Sequence, residues 1–311
     1  MSTVNPVSNP AAVLPESQSA EGGETEQRTP LQRLLHWANS GVTSVIVVFI
    51  MLIWLVPTFG LFVSSFRPAQ DIKATGWWTG LLPPWHFTIA NYQSVINAQG
   101  LGQALLNSLI IALPGTLLPV AVAAFAAFAF SWMHFPGRDW LFLAIVALLV
   151  VPIQTTLIPN LSLFTNLNIT GSYLAIWIAH TAYGLPFAIY LLRNFFGALP
   201  SDLIESARID GASNWRIFTG ILLPLSVPSL ASLVIFQFMW VWNDLLVALI
   251  YLGGGEKAPL PLAIADLVNS FGSNYEVLTA AAFISMALPL VVFFSLQRYF
   301  VRGMLAGAVK G

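Results

Sequence analysis

Residues able to do chemistry are few here and unevenly placed. The 311 positions hold 13 carboxylates, 12 lysines and arginines, four histidines and no cysteine. Without thiols there are no disulfides, thiolate metal sites or cysteine nucleophiles. No H-E-x-x-H or other metal spacing occurs, and no G-x-x-x-x-G-K-[ST] phosphate loop. Inside the long apolar runs the acids are Asp139, at one end, and Asp244, and the histidine is His180. No nucleophile sits beside a base there, and no paired carboxylates, so the pattern points away from an enzyme. Two groupings remain. In "WVWNDLL", Trp240, Trp242, Asn243 and Asp244 place polar side chains next to aromatic faces. A charge at mid-bilayer costs about 2.5–3.5 kcal/mol on insertion scales, so Asp244 is expected to face the interior of a bundle or water. In "LPSDLIESARIDGASNWRIFTGILLPLSVPSL", residues 199–230, Asp202, Glu205, Arg208, Asp210 and Arg216 crowd between two apolar runs.

The elements that hold these groups follow from composition. The chain is 57% hydrophobic and 8% charged, with a mean hydropathy of +0.77. Soluble domains carry about 25% charged residues, so lipid is the solvent for much of this chain. Six runs are long enough to span: about 42–64, 104–131, 139–158, 172–192, 221–249 and 278–297. They are continuous and lack the alternation of a barrel wall. The expected fold is an all-α membrane protein of six helices kinked by prolines. Pro57, Pro114, Pro119, Pro152, Pro186, Pro224, Pro228 and Pro289 lie in the spans. They suit either ordinary membrane helices, in which proline is common, or a bundle around a cavity that opens and closes.

The first run starts after some 40 residues and lacks an A-x-A exit, so it is not expected to be a cleaved signal. Residues 1–40 read as a tail, disordered up to about 30 on its Pro, Ser and Glu content. Residues 41–300 read as the six-span domain and 301–311 as a second tail. Six spans put both ends on one side. Nine of the 12 basic residues fall on that side, leaving Arg67, Lys73 and Lys257 opposite. The bias puts both termini in the cytoplasm. The net charge of -1 argues against a nucleic-acid partner.

The charged stretch then lies in the cytoplasm between spans four and five. Ser201 is positioned to cap a helix with Asp202 in its first turn. Leu203, Ile204 and Ala207 share a face, and Glu205 could pair with Arg208. Gly211 ends the helix and Ser213 caps a second one, "NWRIF". The result is a helix-turn-helix whose small residues let a partner approach. An amphipathic loop resting on headgroups would also explain the charges and Trp215.

Glu205, Ser206, Ala207, Asp210, Gly211, Ile221, Leu223 and Pro224 resemble the E-A-A-x-x-x-G-(x)-I-x-L-P loop of ABC importer permeases. Ser206 departs from the usual second alanine and His134 from an arginine before "FPGR". "NSLIIALPGTLLPVAVAAFAAFAFSWMHFPGR", "VPIQTTLIP", "WNDLL" and the ending "QRYFVRGMLAGAVKG" are similar to the carbohydrate-uptake branch, of maltose and α-glucoside type. The resemblance implies a non-catalytic inner-membrane permease subunit that moves an oligosaccharide or glycoside by alternating access. It implies a second related permease chain, two ATPase subunits that carry ATP and Mg, and an external sugar-binding protein. This chain itself is expected to bind no cofactor and no metal. The coupling loop would dock on the ATPase, and the C-terminal tail would enter the interface of the two ATPases.

Under that resemblance Trp240, Trp242, Asn243 and Asp244 become candidates for the outer end of a sugar path. Asp244 could equally fix packing through backbone or polar neighbours. His180 reads first as a packed span residue. Trp77, Trp78, Trp85 and Tyr92 in the outer loop 65–103 form an interfacial aromatic belt or a docking surface. The outer loop 250–277 is the better docking surface, with Asn269, Phe271, Asn274 and Tyr275 as candidates. An ion-coupled secondary transporter remains the alternative, with Asp244 and His180 as its thin relay.

Overall fold

The computed structural model describes residues 30–98, 100–270 and 275–308, and every element among them is helical. Helix α1 (Pro30–Ser65) passes through Pro57, where the chain divides into two units, Met1–Pro57 and Thr58–Gly311. In the first unit the side chains from Val45 to Val56 are apolar and exposed on all sides, a surface suited to lipid. The second unit starts with the last two turns of α1. It continues through α2 (Ala69–Ala74), a 3₁₀ turn (Trp77–Leu81) and α3 (Ala90–Gln93). The membrane body follows: α4 (Leu101–Trp132), α5 (Arg138–Ala147), α6 (Ile153–Asn166) and α7 (Tyr173–Phe196). Then come α8 (Ser201–Ile209), α9 (Asn214–Ile217), α10 (Leu223–Leu225) and α11 (Val227–Trp242). Helices α12 (Leu246–Tyr251), α13 (Leu260–Ser270) and α14 (Tyr275–Ala308) complete it.

Four stretches cross a membrane by length and composition: Gly41–Ser65, Leu101–Trp132, Tyr173–Phe196 and Tyr275–Tyr299. Two more are bent pairs, Arg138–Val150 with Ile153–Asn166 at 102° and Asn214–Leu225 with Val227–Trp242 at 75°. With each pair taken as one span there are six. The third expected span, 139–158, is therefore not one rod. Val151 stands before Pro152 and adopts ψ 116°, as the proline ring disfavours the helical region for its predecessor. The fifth expected span, 221–249, is likewise shorter, since α11 stops at Trp242 and Asn243, Asp244 and Leu245 separate it from α12. Its bend falls at Ser226 between Pro224 and Pro228, where Pro228 cannot donate to the Pro224 carbonyl.

The other prolines lie within continuous helices, and three of them share a compensation. A proline leaves the carbonyl four residues earlier without its helical donor. Pro114 frees the Ile110 carbonyl, which takes Trp177 Nε1 at 2.9 Å. Pro119 frees that of Gly115, which takes Gln237 Nε2 at 3.2 Å. Pro289 frees that of Ser285, which takes Trp242 Nε1 at 3.0 Å. With no water in the hydrocarbon to fill these positions, the freed carbonyls become points at which α4 joins α7 and α11, and α14 joins α11.

Two cores hold the body together. One gathers Leu101, Ile176, Phe238, Trp242, Tyr251 and Leu260 from α4, α7, α11, α12 and α13. The other gathers Ala123, Ala127, Leu192, Phe196, Ile204, Ile217 and Leu222. Ala123 and Ala127 have no exposed surface, as their small-x-x-x-small spacing predicts for a packing seam.

Outside the spans, Arg67 is 4% exposed. It donates to the Gly76 carbonyl at 2.9 Å and to Thr75 Oγ1 at 2.7 Å, which fixes the turn after α1. Of the four outer-loop aromatics, Trp78 and Trp85 are exposed, while Trp77 packs on Gly60 and Phe59 and Tyr92 bonds Ser65 Oγ at 2.7 Å. The expected second tail, 301–311, continues α14 as helix to Ala308. The tail 1–29 and residues 309–311 lie outside the described residues.

Candidate functional site

The charged stretch folds as two short helices around a glycine turn. Gly211 has φ +77°, a left-handed conformation that costs other L-residues about 1–2 kcal/mol. The Ala212 amide closes the turn on the Ala207 carbonyl at 2.9 Å. Ser213 Oγ accepts from the Arg216 amide at 3.3 Å and so caps α9, as its position predicts. Three details differ from expectation. Pro200, not Ser201, occupies the cap position of α8, and Ser201 Oγ turns to Asp202 Oδ1 at 3.3 Å. Arg208 donates to the Trp132 carbonyl at 2.7 Å instead of pairing with Glu205, because the end of α4 offers a helical carbonyl with no intrahelical donor. Leu203 is exposed, so the inward face of α8 is Ile204 with Ala207 beside it.

This arrangement gives α8 two sides with different surroundings. Ile204 is 1% exposed and belongs to the same core as Leu192, Phe196 and Leu222 of the spans. On the other side Glu205, Ser206 and Asp210 are exposed, and Ile209 is 86% exposed. Ser206 Oγ is already bonded to the Leu203 carbonyl at 3.2 Å, so its hydroxyl adds little bulk to that surface. Ile209 escaped the motif reading because an isoleucine in an amphipathic pattern is normally placed inside. Ile221 and Leu223 pack against the core that holds Ile204, while Pro224 is exposed.

The residues of "WVWNDLL" separate. Trp242 is buried and holds the Ser285 carbonyl. Asn243 is exposed and its Nδ2 returns to the Met239 carbonyl at 2.7 Å. Asp244 accepts from the amides of Val247 at 3.2 Å and Ala248 at 3.0 Å, the capping geometry for α12, and stands 3.7 Å from His180 Nε2. His180 is fully buried, edge-on to Trp240 with ring centroids 5.2 Å apart.

Trp240 alone of the four lines a large cavity, about 550 Å³, between the α5–α6 break, α7 and α11. Thr156, Asn160, Tyr183 and Gln237 are the polar residues in its wall. Sequence reasoning missed them because they are dispersed over three helices and brought together only by the bend at Pro152. The segment between α12 and α13 is anchored rather than free. Asn107 Nδ2 donates to the carbonyls of Glu256 at 2.7 Å and Ala258 at 3.0 Å, and Lys257 Nζ to that of Gly171 at 2.8 Å. A second, more polar cavity of about 850 Å³ opens there, with Gln103, Asn107, Tyr173, Lys257 and Asp266 in its wall. Asn269 lies in the last turn of α13 and Tyr275 starts α14 exposed, while Phe271 and Asn274 fall outside the described residues.

A helical body with two bent spans and a charged segment packed against its core defines a polytopic membrane protein. The family described as binding-protein-dependent transport system inner membrane component matches residues 120–306, and the chain belongs to it. It is a permease subunit of an ABC importer in the inner membrane, which sets aside the secondary-transporter alternative. The chain is 56% identical over 268 residues to the osmoprotective compounds uptake permease protein GgtD of Synechocystis sp., covering 85% of this chain and 90% of the relative. It is 53% identical over 260 residues to the α-glucoside transport system permease protein AglG of Rhizobium meliloti, covering 80% and 68%. Among solved structures, a chain of the bacterial alginate ABC transporter in complex with an alginate pentasaccharide-bound periplasmic protein superposes with a TM-score of 0.62. That match covers 85% of this chain and 96% of the other at 15% identity, so it speaks for the fold.

Proposed function

We propose that this chain moves a neutral oligosaccharide or glycoside into the cytoplasm by alternating access, driven by ATP hydrolysed on a separate chain. The observation that carries the coupling is the two-sidedness of α8. Ile204 is set in the core of the spans while Ile209, four residues from Glu205, is offered outward. A partner that grips Ile209 and the turn at Gly211 moves the spans with it, because α8 has no slack against its own core. Glu205, Ser206, Ala207, Asp210 and Gly211 form the docking surface, and Ile221, Leu223 and Pro224 carry the motion towards the bend at Ser226. The names of the α-glucoside relative and of the arabinooligosaccharide permease AraQ of Halalkalibacterium halodurans, 31% identical over 264 residues, support a carbohydrate cargo.

The partners in this reading are a second permease chain, two ATPases holding ATP and Mg, and an external binding protein. Both termini are cytoplasmic, and the 250–277 loop with its polar cavity faces the binding protein. The test is reconstitution of the chain with its co-expressed subunits in vesicles. Labelled maltose or sucrose should accumulate only with Mg-ATP on the ATPase side and binding protein on the other. Uptake that runs on an ion gradient without ATP would overturn the reading.

A further inference from the structure

We propose that the 550 Å³ cavity between α6, α7 and α11 is a pyranose subsite supplied by this chain itself, with Trp240 as its stacking face and Asn160 and Gln237 as its hydrogen-bonding amides. The proposal rests on the carbohydrate reading above and places the solute deeper than the outer end of α11. The cavity opens beside Tyr183, Gly184 and Pro186, at the midpoint of α7. Its size is that of a small-ligand site, which spans about 300–1,000 Å³.

The hydrogen bonds around the cavity decide which groups are free to bind. Thr156 Oγ1 donates to the Ile153 carbonyl at 2.7 Å, so towards Tyr183, 3.0 Å away, it accepts. The Tyr183 hydroxyl therefore donates to Thr156, accepts from Asn160 Nδ2 at 3.0 Å and lies 2.8 Å from the Tyr251 hydroxyl, which also reaches the Leu157 carbonyl at 3.4 Å. Three polar neighbours already surround the Tyr183 hydroxyl, which leaves it no position for a solute. It acts as a positioning residue that holds Asn160, on the α6 side of the bend, against α7. Asn160 turns its Nδ2 to the Tyr183 and Tyr251 hydroxyls and keeps its Oδ1. Gln237 donates one N–H to the Gly115 carbonyl and keeps its Oε1. Its amide fits because residue 184 is glycine: a Cβ there would stand 2.5 Å from Gln237 Nε2. Trp240 Nε1 has no hydrogen-bond partner among the described residues.

Two amides with spare capacity, an indole face and no charged side chain in the wall match a neutral sugar ring, whose C–H face stacks and whose hydroxyls both donate and accept. An acyl chain would fill the apolar part of the wall, Leu148, Leu149, Ile153 and Phe236, but has nothing to offer the amides.

The test uses the complete transporter in vesicles, with labelled maltose and sucrose and a set of monodeoxy maltoses. Asn160→Leu removes the free amide and Trp240→Leu the stacking face. Leu149→Trp fills the cavity without touching the hydrogen-bond chain. Each variant should lower kcat/KM for uptake about tenfold or more, as one lost hydrogen bond or stacking contact does. Assembly with the ATPase should stay within about twofold, because the coupling face is untouched. For Asn160→Leu, one deoxy sugar should lose far less than the parent sugar, which a merely structural role would not produce. If wild type takes up sugar and all three variants do so equally well, the subsite is overturned and the importer reading stands. If a co-purified lipid fills the cavity while Leu149→Trp transports normally, the subsite is again overturned. If wild type accumulates no neutral sugar under ATP, both readings fall together.

Discussion

Ile204 and Ile209 lie five positions apart on one short helix, one buried and one exposed, so the proposed docking of α8 can be tested apart from its stability. Ile204→Ala opens a cavity in the core shared by α8 and the spans, at a cost of about 2–5 kcal/mol. It should lower the yield of folded protein and its melting temperature in detergent. Ile209→Glu touches no core and should leave the melt within about 0.5 kcal/mol of wild type. It should nevertheless cut ATP-driven uptake about tenfold or more, since losing one buried aliphatic contact with a partner is worth about 1.5–3 kcal/mol. Co-purification of the ATPase, read by mass spectrometry, reports the same loss. An Ile209→Glu protein that transports normally would show that the partner does not grip this surface. Asp244 answers to the same logic with the opposite expectation. It caps α12 through two amides, so Asp244→Ala should cost about 0.5–2 kcal/mol while Asp244→Asn, which keeps one acceptor, costs less. The melts of the two variants check the order.

At the scale of elements, the proline-freed carbonyls give a sharper prediction than any single contact. Trp242 Nε1 serves the Ser285 carbonyl only because Pro289 cannot. Trp242→Phe should therefore destabilise by about 0.6–2 kcal/mol beyond its change in volume. Adding Pro289→Ala restores a backbone N–H to that carbonyl, so the double variant should be more stable than the sum of the two singles predicts. Strict additivity in a detergent unfolding series would mean that the indole contributes packing alone. The same elements mark the limit of what sequence could say. Hydropathy located every span, and Gly211 with Ser213 located the turn and cap, because those signals are local. It did not distinguish Pro152, which breaks its span, from Pro114 and Pro119, which do not. At Pro114 and Pro119 the freed carbonyls take Trp177 and Gln237 from other helices, and no window of sequence contains those contacts. The cavity was hidden for the same reason: Asn160, Tyr183 and Gln237 are polar residues scattered in apolar runs until the bend after Val151 collects them.

For the whole molecule, the remaining question is which way the coupling face points, and charge alone carries the answer. The six-span reading assigns nine of 12 basic residues to the side expected to hold α8 and both termini, and the proposed orientation puts that side in the cytoplasm by the positive-inside bias. The absence of cysteine makes this directly measurable, since any introduced thiol is the only one in the chain. Ile209→Cys and Trp85→Cys replace two exposed side chains in the segments expected on opposite sides of the membrane. An impermeant maleimide added to intact, outer-membrane-permeabilised cells should label the thiol at 85 and leave that at 209 untouched. In inverted vesicles the pattern should reverse. The comparison with bound ATPase is then informative in one direction only: a docked partner covers position 209 and slows its labelling in inverted vesicles, while position 85 is indifferent to it. Labelling of 209 from outside intact cells would invert the topology. The ATP-driven mechanism would then fall with it, because α8 could no longer meet an enzyme that works on cytoplasmic nucleotide.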